Sequence, residues 1–240
     1  MTTLIAFGDS HIAGAEIDFK GQGESYSKAF PAKIADHYKF NYENYGISGG
    51  SNDYIIKLLI PRVKKSIENQ EKIFLIIGMC EPTRTFLKEN DNYYHYTTAS
   101  DTTNYPTHLT NLYQKNLKYN SDKDLNEKSL TQTLFLQSFL KQFNIPYLMF
   151  ASTFFYYGDW RLIDKNSFYG HHENGKDFYT EDNCWEVYNK YGFWGVCTHH
   201  PDWKHIQNDQ RWSGHYPENF HQFWAETMID HIETFNLLTP

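Results

Sequence analysis

The stretch "TLIAFGDSHIAG", residues 3–14, begins with an apolar run and then breaks into the turn residues Gly8, Asp9 and Ser10. The run "LIAF" predicts a short buried strand that ends at this turn. In an open parallel sheet, ligands bind outside the carboxyl ends of the strands. The hydroxyl of Ser10 therefore lies where a nucleophile could act, and we interpret Ser10 as a candidate nucleophile.

Strands and helices alternate at both ends of the chain. Strands are predicted at 4–7, 41–45, 72–78 and 145–152, and helices at 25–40, 53–70, 127–144 and 217–235. This alternation predicts the α/β class: a three-layer α/β/α sandwich with a mostly parallel, flavodoxin-like sheet. Two long segments, at about 84–126 and 153–214, interrupt the pattern and are expected to be aromatic-rich insertions. We expect one domain that spans residues 1–240.

Composition excludes several classes of partner. The chain has 240 residues and a formal net charge of −7, without a cluster of Lys and Arg, so neither nucleic acid nor an anionic membrane surface is expected. The three cysteines have no paired spacing and predict no disulfide framework. No stretch approaches the roughly 20 apolar residues of a membrane helix, and no signal peptide is predicted. The expected compartment is the cytoplasm, and the oligomeric state stays open.

Three further motifs lie at the ends of predicted strands or at the start of the last helix. They are "NYGISGGSN" (44–52), "LIIGMCEP" (75–82) and "GHYPENFHQFWA" (214–225). A serine, a glycine-rich turn and a late histidine are the parts that acyl transfer needs, because they supply a nucleophile, oxyanion donors and a base. The order of these motifs along the chain therefore favours acyl-transfer chemistry.

Together with "FGDSH" (7–11), these motifs resemble four sequence blocks of the SGNH (GDSL-like) hydrolases. The resemblance implies a serine esterase or deacetylase that forms an acyl-enzyme and needs no cofactor. It implies that Ser10 is the nucleophile, His215 the catalytic histidine and Gly49 an oxyanion donor. The expected substrate is a small-molecule or glycan ester.

Three more residues are assigned to the oxyanion and substrate-binding side of the same site. They are Asp9, which we expect to brace the turn, Asn52 and Cys80. Cys80 departs from the family, which has an asparagine in this position, and a thiol is a weak donor. Similar alterations occur in divergent members, including phage-borne ones. The departure also supports an alternative function, a binding module on a catalytically impaired hydrolase scaffold.

The acid that would orient the histidine is also displaced. The family places an aspartate three residues before the catalytic histidine, but Trp212 stands three residues before His215. Asp209 is the nearest aspartate, and we take it as the candidate, although a backbone carbonyl could also fill this role. Asp202 and His205 form a literal D-x-x-H pair, but the helix signature of the last motif does not follow it. His215 is therefore the preferred base.

Two other interpretations of the sequence remain open. Ser48 lies in "GISGG", which matches the nucleophile elbow G-x-S-x-G, although only two predicted strands precede it. The histidine-rich insertion is also a candidate metal centre for a metal-dependent enzyme, although its spacing matches no known ligand pattern and no metal is predicted. The candidate ligands are His171, His172, His199, His200, His205, Asp202, Cys184 and Cys197.

The second insertion is rich in aromatic residues, beginning with "TFFYYGDW" (153–160). These side chains could form a small core of their own. They could also form a wall over the active site, since Tyr and Trp present flat apolar faces with polar tips that suit sugar rings. The second interpretation favours a carbohydrate ester as substrate.

Overall fold

The computed structural model describes residues 1–17, 24–98, 100–153, 155–171, 175–208 and 215–238. In these residues the strands are β1 (Thr3–Gly8), β2 (Asn41–Gly46), β3 (Ile73–Met79), β4 (Thr85–Glu89), β5 (Asn92–Tyr96), β6 (Tyr147–Ala151), β7 (Gly158–Asp159) and β8 (Phe178–Tyr179). The helices are α1 (Ser10–Ala13), α2 (Phe30–Tyr38), α3 (Asn52–Glu68), α4 (Thr107–Tyr119), α5 (Asp122–Gln142), α6 (Glu181–Tyr191), α7 (Phe193–Cys197), α8 (Trp203–Gln207) and α9 (Glu218–Thr234).

The main sheet has four strands in the order β2–β1–β3–β6, and every neighbouring pair is parallel. Every residue of β3 and β6 is buried, as expected for strands that are covered on both faces. The edge strand β2 is polar and only partly buried, because one of its sides has no neighbouring strand in this sheet. The predicted α/β fold with a parallel sheet is therefore confirmed.

Helices cover both faces of the sheet. Alternate residues of a strand point to opposite faces, so Ile5 and Phe7 of β1 pack with α3 and α5, while Leu4 and Ala6 pack with α2 and α9. Each large apolar side chain that is fully buried in these layers contributes about 1.5–3 kcal/mol to folding. The result is the predicted three-layer α/β/α arrangement.

Helix boundaries follow local capping chemistry. The side chain of Ser51 caps α3 by accepting the N–H of Tyr54. Helix α5 begins five residues before its predicted start, because Ser121 and Asp124 form a reciprocal capping box. Helix α2 begins at Phe30 and not at residue 25, with Pro31 in its first turn, where a missing N–H has no cost.

The first insertion, predicted at 84–126, contains the β4–β5 hairpin and α4, and the first turn of α5 lies inside its predicted range. Its aromatic residues form a small cluster around Tyr96 and Tyr113. In the second insertion, Phe155, Trp160 and Phe168 are fully buried and join the core beneath α5 and β6. These aromatic side chains therefore serve mainly as core. In the described part of the chain, no helix is long and apolar enough to cross a membrane.

The short helix α1 lies directly on the carboxyl ends of three adjacent strands. These strands carry Gly8, Gly46 and Gly78 at their ends, and all three glycines face Ile12 of α1. An added Cβ would lie 2.5 Å from Ile12 at Gly8, 2.6 Å at Gly46 and 3.1 Å at Gly78. The position of α1 therefore depends on the absence of a side chain at these three glycines, because any Cβ there would overlap Ile12.

We expect Gly46→Ala to displace α1, because the new methyl group would also lie 2.6 Å from the main-chain nitrogen of Ala13. Overpacking of this kind costs about 1–3 kcal/mol, which urea unfolding would measure as a lower free energy of unfolding. Asn41→Ala, at the exposed start of the same strand, is the matched control and should change stability by less than about 0.5 kcal/mol. Equal stability of the two variants would contradict this account of α1.

Candidate active site

Ser10 is the first residue of α1 and immediately follows the turn that ends β1. The carboxylate of Asp9 caps this helix by accepting the N–H of His11 at 3.1 Å. Ser10 is 8% exposed. Neither its hydroxyl nor its main-chain N–H donates to an acceptor among the residues that the structure describes. Both groups are therefore available to a ligand at the edge of the sheet.

Asp9 is fully buried and fixes the turn before Ser10. Besides capping α1, its carboxylate accepts a hydrogen bond from the Ser152 hydroxyl at 2.7 Å and pairs with Arg84 at 3.3 Å. Burial lowers the pKa of Arg84, but the charges of Asp9 and Glu81 outweigh this effect and the net shift is upward. These contacts support the predicted bracing role of Asp9.

Gly49 lies in a tight turn that is attached to the end of β1. The carbonyl of Gly8 accepts the N–H of Ile47 at 3.2 Å, and Gly50 donates to Ile47 at 2.9 Å. Gly49 itself has a φ of +73°, which favours glycine. Its main-chain N–H has no acceptor among the described residues. The two unpaired N–H groups, of Ser10 and Gly49, therefore lie on turns that meet at Gly8.

The side chains of Cys80 and Asn52 form hydrogen bonds within the protein. The Asn52 carboxamide accepts the N–H of Cys80 at 2.7 Å and donates to the Cys80 carbonyl at 3.2 Å and to the Tyr156 hydroxyl at 2.8 Å. Both of its N–H groups are thus used. The fully buried Cys80 thiol points to the carbonyl of Gly78 at 3.7 Å. These contacts hold the third motif against α3. The substrate-binding role of the two residues stays a prediction.

His215 lies beside α1. Its ring centre is 5.8 Å from that of His11, the neighbour of Ser10. Its Nδ1 atom is 3.2 Å from Oε2 of Glu16, and Nε2 has no hydrogen-bond partner among the described residues. No direct hydrogen bond joins His215 to the hydroxyl of Ser10, and such bonds often form only when substrate binds. Asp209 lies outside the described residues.

The alternative pair Asp202 and His205 shares a main-chain hydrogen bond, from the N–H of His205 to the carbonyl of Asp202 at 3.0 Å. In the part of the chain that the structure describes, no hydrogen bond joins the carboxylate of Asp202 to the ring of His205. The Asp202 carboxylate accepts instead from the side chain of Asn219 at 3.0 Å. Ser48, the alternative nucleophile, is exposed, and its N–H donates to Glu24 at 3.0 Å. No histidine is hydrogen-bonded to the Ser48 hydroxyl within the described ranges.

Three residues of the site carry no sequence signal that would have identified them. Arg84 and Ser152 bind Asp9, and His11 stacks on Phe193 with ring centres 4.5 Å apart. Burial lowers the pKa of His11 to about 4, although the charge of Asp9 opposes the shift. His11 is therefore neutral at pH 7. Only the packing of distant segments brings these side chains to the site.

The histidine-rich insertion shows no metal centre in the described residues, where no group of three or more His, Cys, Asp or Glu side chains could hold an ion. His171 is buried and bonded to the hydroxyl of Tyr179 at 2.9 Å. The thiol of Cys184 donates to the carbonyl of Glu181 at 3.0 Å. His172 lies outside the described residues. His171 and Cys184 are thus engaged with the protein itself.

No protein-family model matches the sequence, and no curated protein matches it. Solved structures of esterases and acylhydrolases, the classes that the motifs resemble, are similar to it over nearly its whole length. A psychrotrophic esterase from a Pseudoalteromonas species is 11% identical over 97% of each chain, with a TM-score of 0.44.

A lipase/acylhydrolase from Enterococcus faecalis is 12% identical over 98% of this chain and 96% of that one, with a TM-score of 0.43. An acetylxylan esterase from Geobacillus stearothermophilus is 12% identical over 96% of this chain and 93% of that one, with a TM-score of 0.42. Identities and scores this low assign neither an activity nor a substrate to the chain.

We expect no fast-reacting thiol in the native protein at pH 8. All three cysteines are buried. Burial raises the pKa of Cys80 and Cys197 well above the ordinary value and that of Cys184 to about 11, which keeps the reactive thiolate scarce. A disulfide reagent that releases a coloured thiolate should detect no fast-reacting cysteine in the native protein. After unfolding in guanidinium it should detect all three cysteines. If a thiol reacts quickly in the native protein and mass spectrometry locates it at Cys80, the prediction is wrong and Cys80 is a reactive group.

Proposed function

We propose that this protein is a serine-dependent ester hydrolase that acts through an acyl-enzyme. The observation that carries the proposal is the set of unpaired groups at one edge of the sheet. Among the residues that the structure describes, the hydroxyl of Ser10 has no hydrogen-bond partner and the N–H groups of Ser10 and Gly49 have no acceptors, and His215 lies beside the same helix. A nucleophile, two oxyanion donors and a base are the groups that ester hydrolysis requires.

Acylation uses these groups in sequence. Oγ of Ser10 gives its proton to Nε2 of His215 as it bonds to the ester carbonyl carbon. The carbonyl π pair moves onto the oxygen, which accepts hydrogen bonds from the N–H groups of Ser10 and Gly49. The tetrahedral intermediate then breaks its bond to the alcohol oxygen, which takes the proton from His215. The alcohol leaves, and Ser10 carries the acyl group.

Deacylation repeats these steps with water. His215 takes a proton from a water molecule, whose oxygen bonds to the acyl carbon. The second tetrahedral intermediate breaks its bond to Oγ of Ser10, which receives the proton from His215, and the carboxylic acid leaves. The neutral ring of His11 adds no positive charge next to this proton transfer.

The third motif, "LIIGMCEP" (75–82), favours a second candidate function, that of a binding module without catalysis. The buried Cys80 thiol is held at the carbonyl of Gly78 and supplies no third oxyanion donor. Loss of one such donor typically lowers kcat about 10²–10³-fold. A slow hydrolase and a binding module that has lost catalysis are therefore the two candidates. Covalent labelling and turnover distinguish them, because only an active site of the first kind activates its serine.

A fluorophosphonate probe should label the wild-type protein on the peptide that contains Ser10, since the probe reacts with activated serines. Mass spectrometry of the digested adduct would locate the label. Ser10→Ala should abolish both labelling and the turnover of p-nitrophenyl acetate. His215→Ala, which removes the general base, should lower kcat on the order of 10²–10⁴-fold.

Two variants serve as controls for this test. Ser48→Ala and His205→Ala should keep most of the labelling and turnover, because neither side chain is bonded to Ser10 or His215. If the probe labels Ser48, then Ser48 and not Ser10 is the nucleophile. A wild-type protein without label and without turnover of short acyl esters would favour the binding module.

A cavity next to the third motif supports a carbohydrate ester as the substrate. It has a volume of about 330 Å³ and lies beside Glu81, whose carboxylate is 3.6 Å from Arg84. Tyr157 and the half-exposed Trp185 provide aromatic faces for a sugar ring. The carboxylates that line it can accept hydrogen bonds from sugar hydroxyls; they belong to Glu81, Asp122 and Glu181.

Trp185→Ala should raise KM for an acetylated oligosaccharide about tenfold or more, because the sugar loses its stacking surface. The same variant should leave the turnover of p-nitrophenyl acetate unchanged, since that ester has no sugar. Phe178→Ala is the matched control: it removes another exposed aromatic ring of the same insertion that does not line this cavity. Equal effects of Trp185→Ala on both esters would contradict the sugar subsite.

A further inference from the structure

The carboxylate that faces His215 belongs to Glu16. The distance from Nδ1 of His215 to Oε2 of Glu16 is 3.2 Å, and both side chains are partly buried, with 25% and 32% of their surfaces exposed. Glu16 lies six residues after Ser10, near the N-terminus. The acid was expected close to His215 in sequence, at Asp209 near the other end of the chain. Because 199 positions separate Glu16 from His215, no local pattern could have indicated the pair.

The pair sets the tautomer of the histidine. An ionised carboxylate can only accept a hydrogen bond, so Nδ1 of His215 carries the proton that it donates to Glu16. The lone pair of the neutral ring is then on Nε2, the atom that has no partner among the described residues. A free Nε2 lone pair is what a base for the Ser10 hydroxyl requires.

The backbone ties Glu16 to Ser10. The carbonyl of Ser10 accepts the N–H groups of both Gly14 and Ala15, the latter at 2.9 Å. Gly14 and Glu16, which follow α1, both have left-handed φ angles, of 67° and 55°. This conformation costs a non-glycine residue free energy. The turn therefore fixes the Glu16 main chain relative to Ser10.

We propose that Glu16 is the positioning residue that orients His215, in the role predicted for Asp209. The inference rests on the proposed ester hydrolysis. Among the described residues, two other histidines interact with the charge of His215: His11 from α1 and His221 from α9. Burial lowers the pKa of both, to about 4 and about 3. Glu16 therefore supplies the negative charge that faces the imidazolium formed during each proton transfer.

Kinetics of p-nitrophenyl acetate turnover test the role of Glu16. Glu16→Ala should lower kcat on the order of 10²–10⁴-fold, with KM changed less than about threefold, because the base is misoriented while the binding surface stays. Glu16→Asp should recover part of kcat, since it restores the charge on a shorter side chain. Glu16→Gln keeps the length of the side chain and should also lower kcat; it is the variant to use if Glu16→Ala does not fold.

Glu233→Ala is the matched control. Glu233 forms an exposed His–Glu pair with His37 at 3.4 Å, away from α1. Its removal should leave kcat and KM unchanged. A kcat of Glu16→Ala within twofold of that of Glu233→Ala would overturn the inference.

Nitrogen-15 NMR of the histidine rings tests the pair without any activity. Above pH 8 the His215 ring of the wild type should carry its proton on Nδ1, and Glu16→Ala should move the population towards Nε2–H. The spectrum of His215→Gln assigns the signal. An unchanged tautomer of His215 in Glu16→Ala would overturn the inference. A tautomer that changes in Asp209→Asn and not in Glu16→Ala would overturn it as well. If the wild type turns over no ester while the tautomer still responds to Glu16→Ala, the proposed function fails but the pairing stands.

Discussion

The candidate site depends on one close approach, that of Ile12 to the ends of three neighbouring strands. Gly8, Gly46 and Gly78 leave the space that its side chain fills, and a methyl group at any of them would lie within 3.1 Å of it. Helix α1 therefore lies on the carboxyl edge of the sheet and carries Ser10 there. Everything else at the site is arranged around this helix: a turn from β2, a turn from β3 and the histidine that precedes α9.

Buried polar contacts hold the turns in place where apolar packing could not. Asp9 bonds to the first turn of α1, to Ser152 and to Arg84, and Asn52 bonds to both main-chain groups of Cys80. Removing a charge or an amide from water is unfavourable unless its hydrogen bonds are replaced. Such contacts fix direction as well as distance, which apolar side chains do not. They explain why the turns stay well defined although they lie at the edge of the core.

The same contacts limit the chemistry. The amide of Asn52 and the thiol of Cys80 are bonded within the protein, so the proposed reaction leaves the charge on the carbonyl oxygen to the N–H groups of Ser10 and Gly49. A site of this kind is expected to be slow unless its base is well oriented. The carboxylate of Glu16 contributes to that orientation from the same turn that carries Ser10. Ser10, the candidate nucleophile, and Glu16, the proposed orienting acid, thus lie six residues apart, whereas His215 comes from a segment 199 positions from Glu16.

Local pattern determined much of this protein. The apolar run at 72–78 predicted the covered strand β3, because a strand with helices on both faces has few polar positions. The strand order then located Ser10 at the sheet edge. Only the tertiary structure decided which acid meets His215, because a side-chain pair between elements depends on how these elements pack and on no pattern within either of them. For the same reason, the orientation of the Cys80 thiol towards Gly78 could not be predicted from its place in a motif.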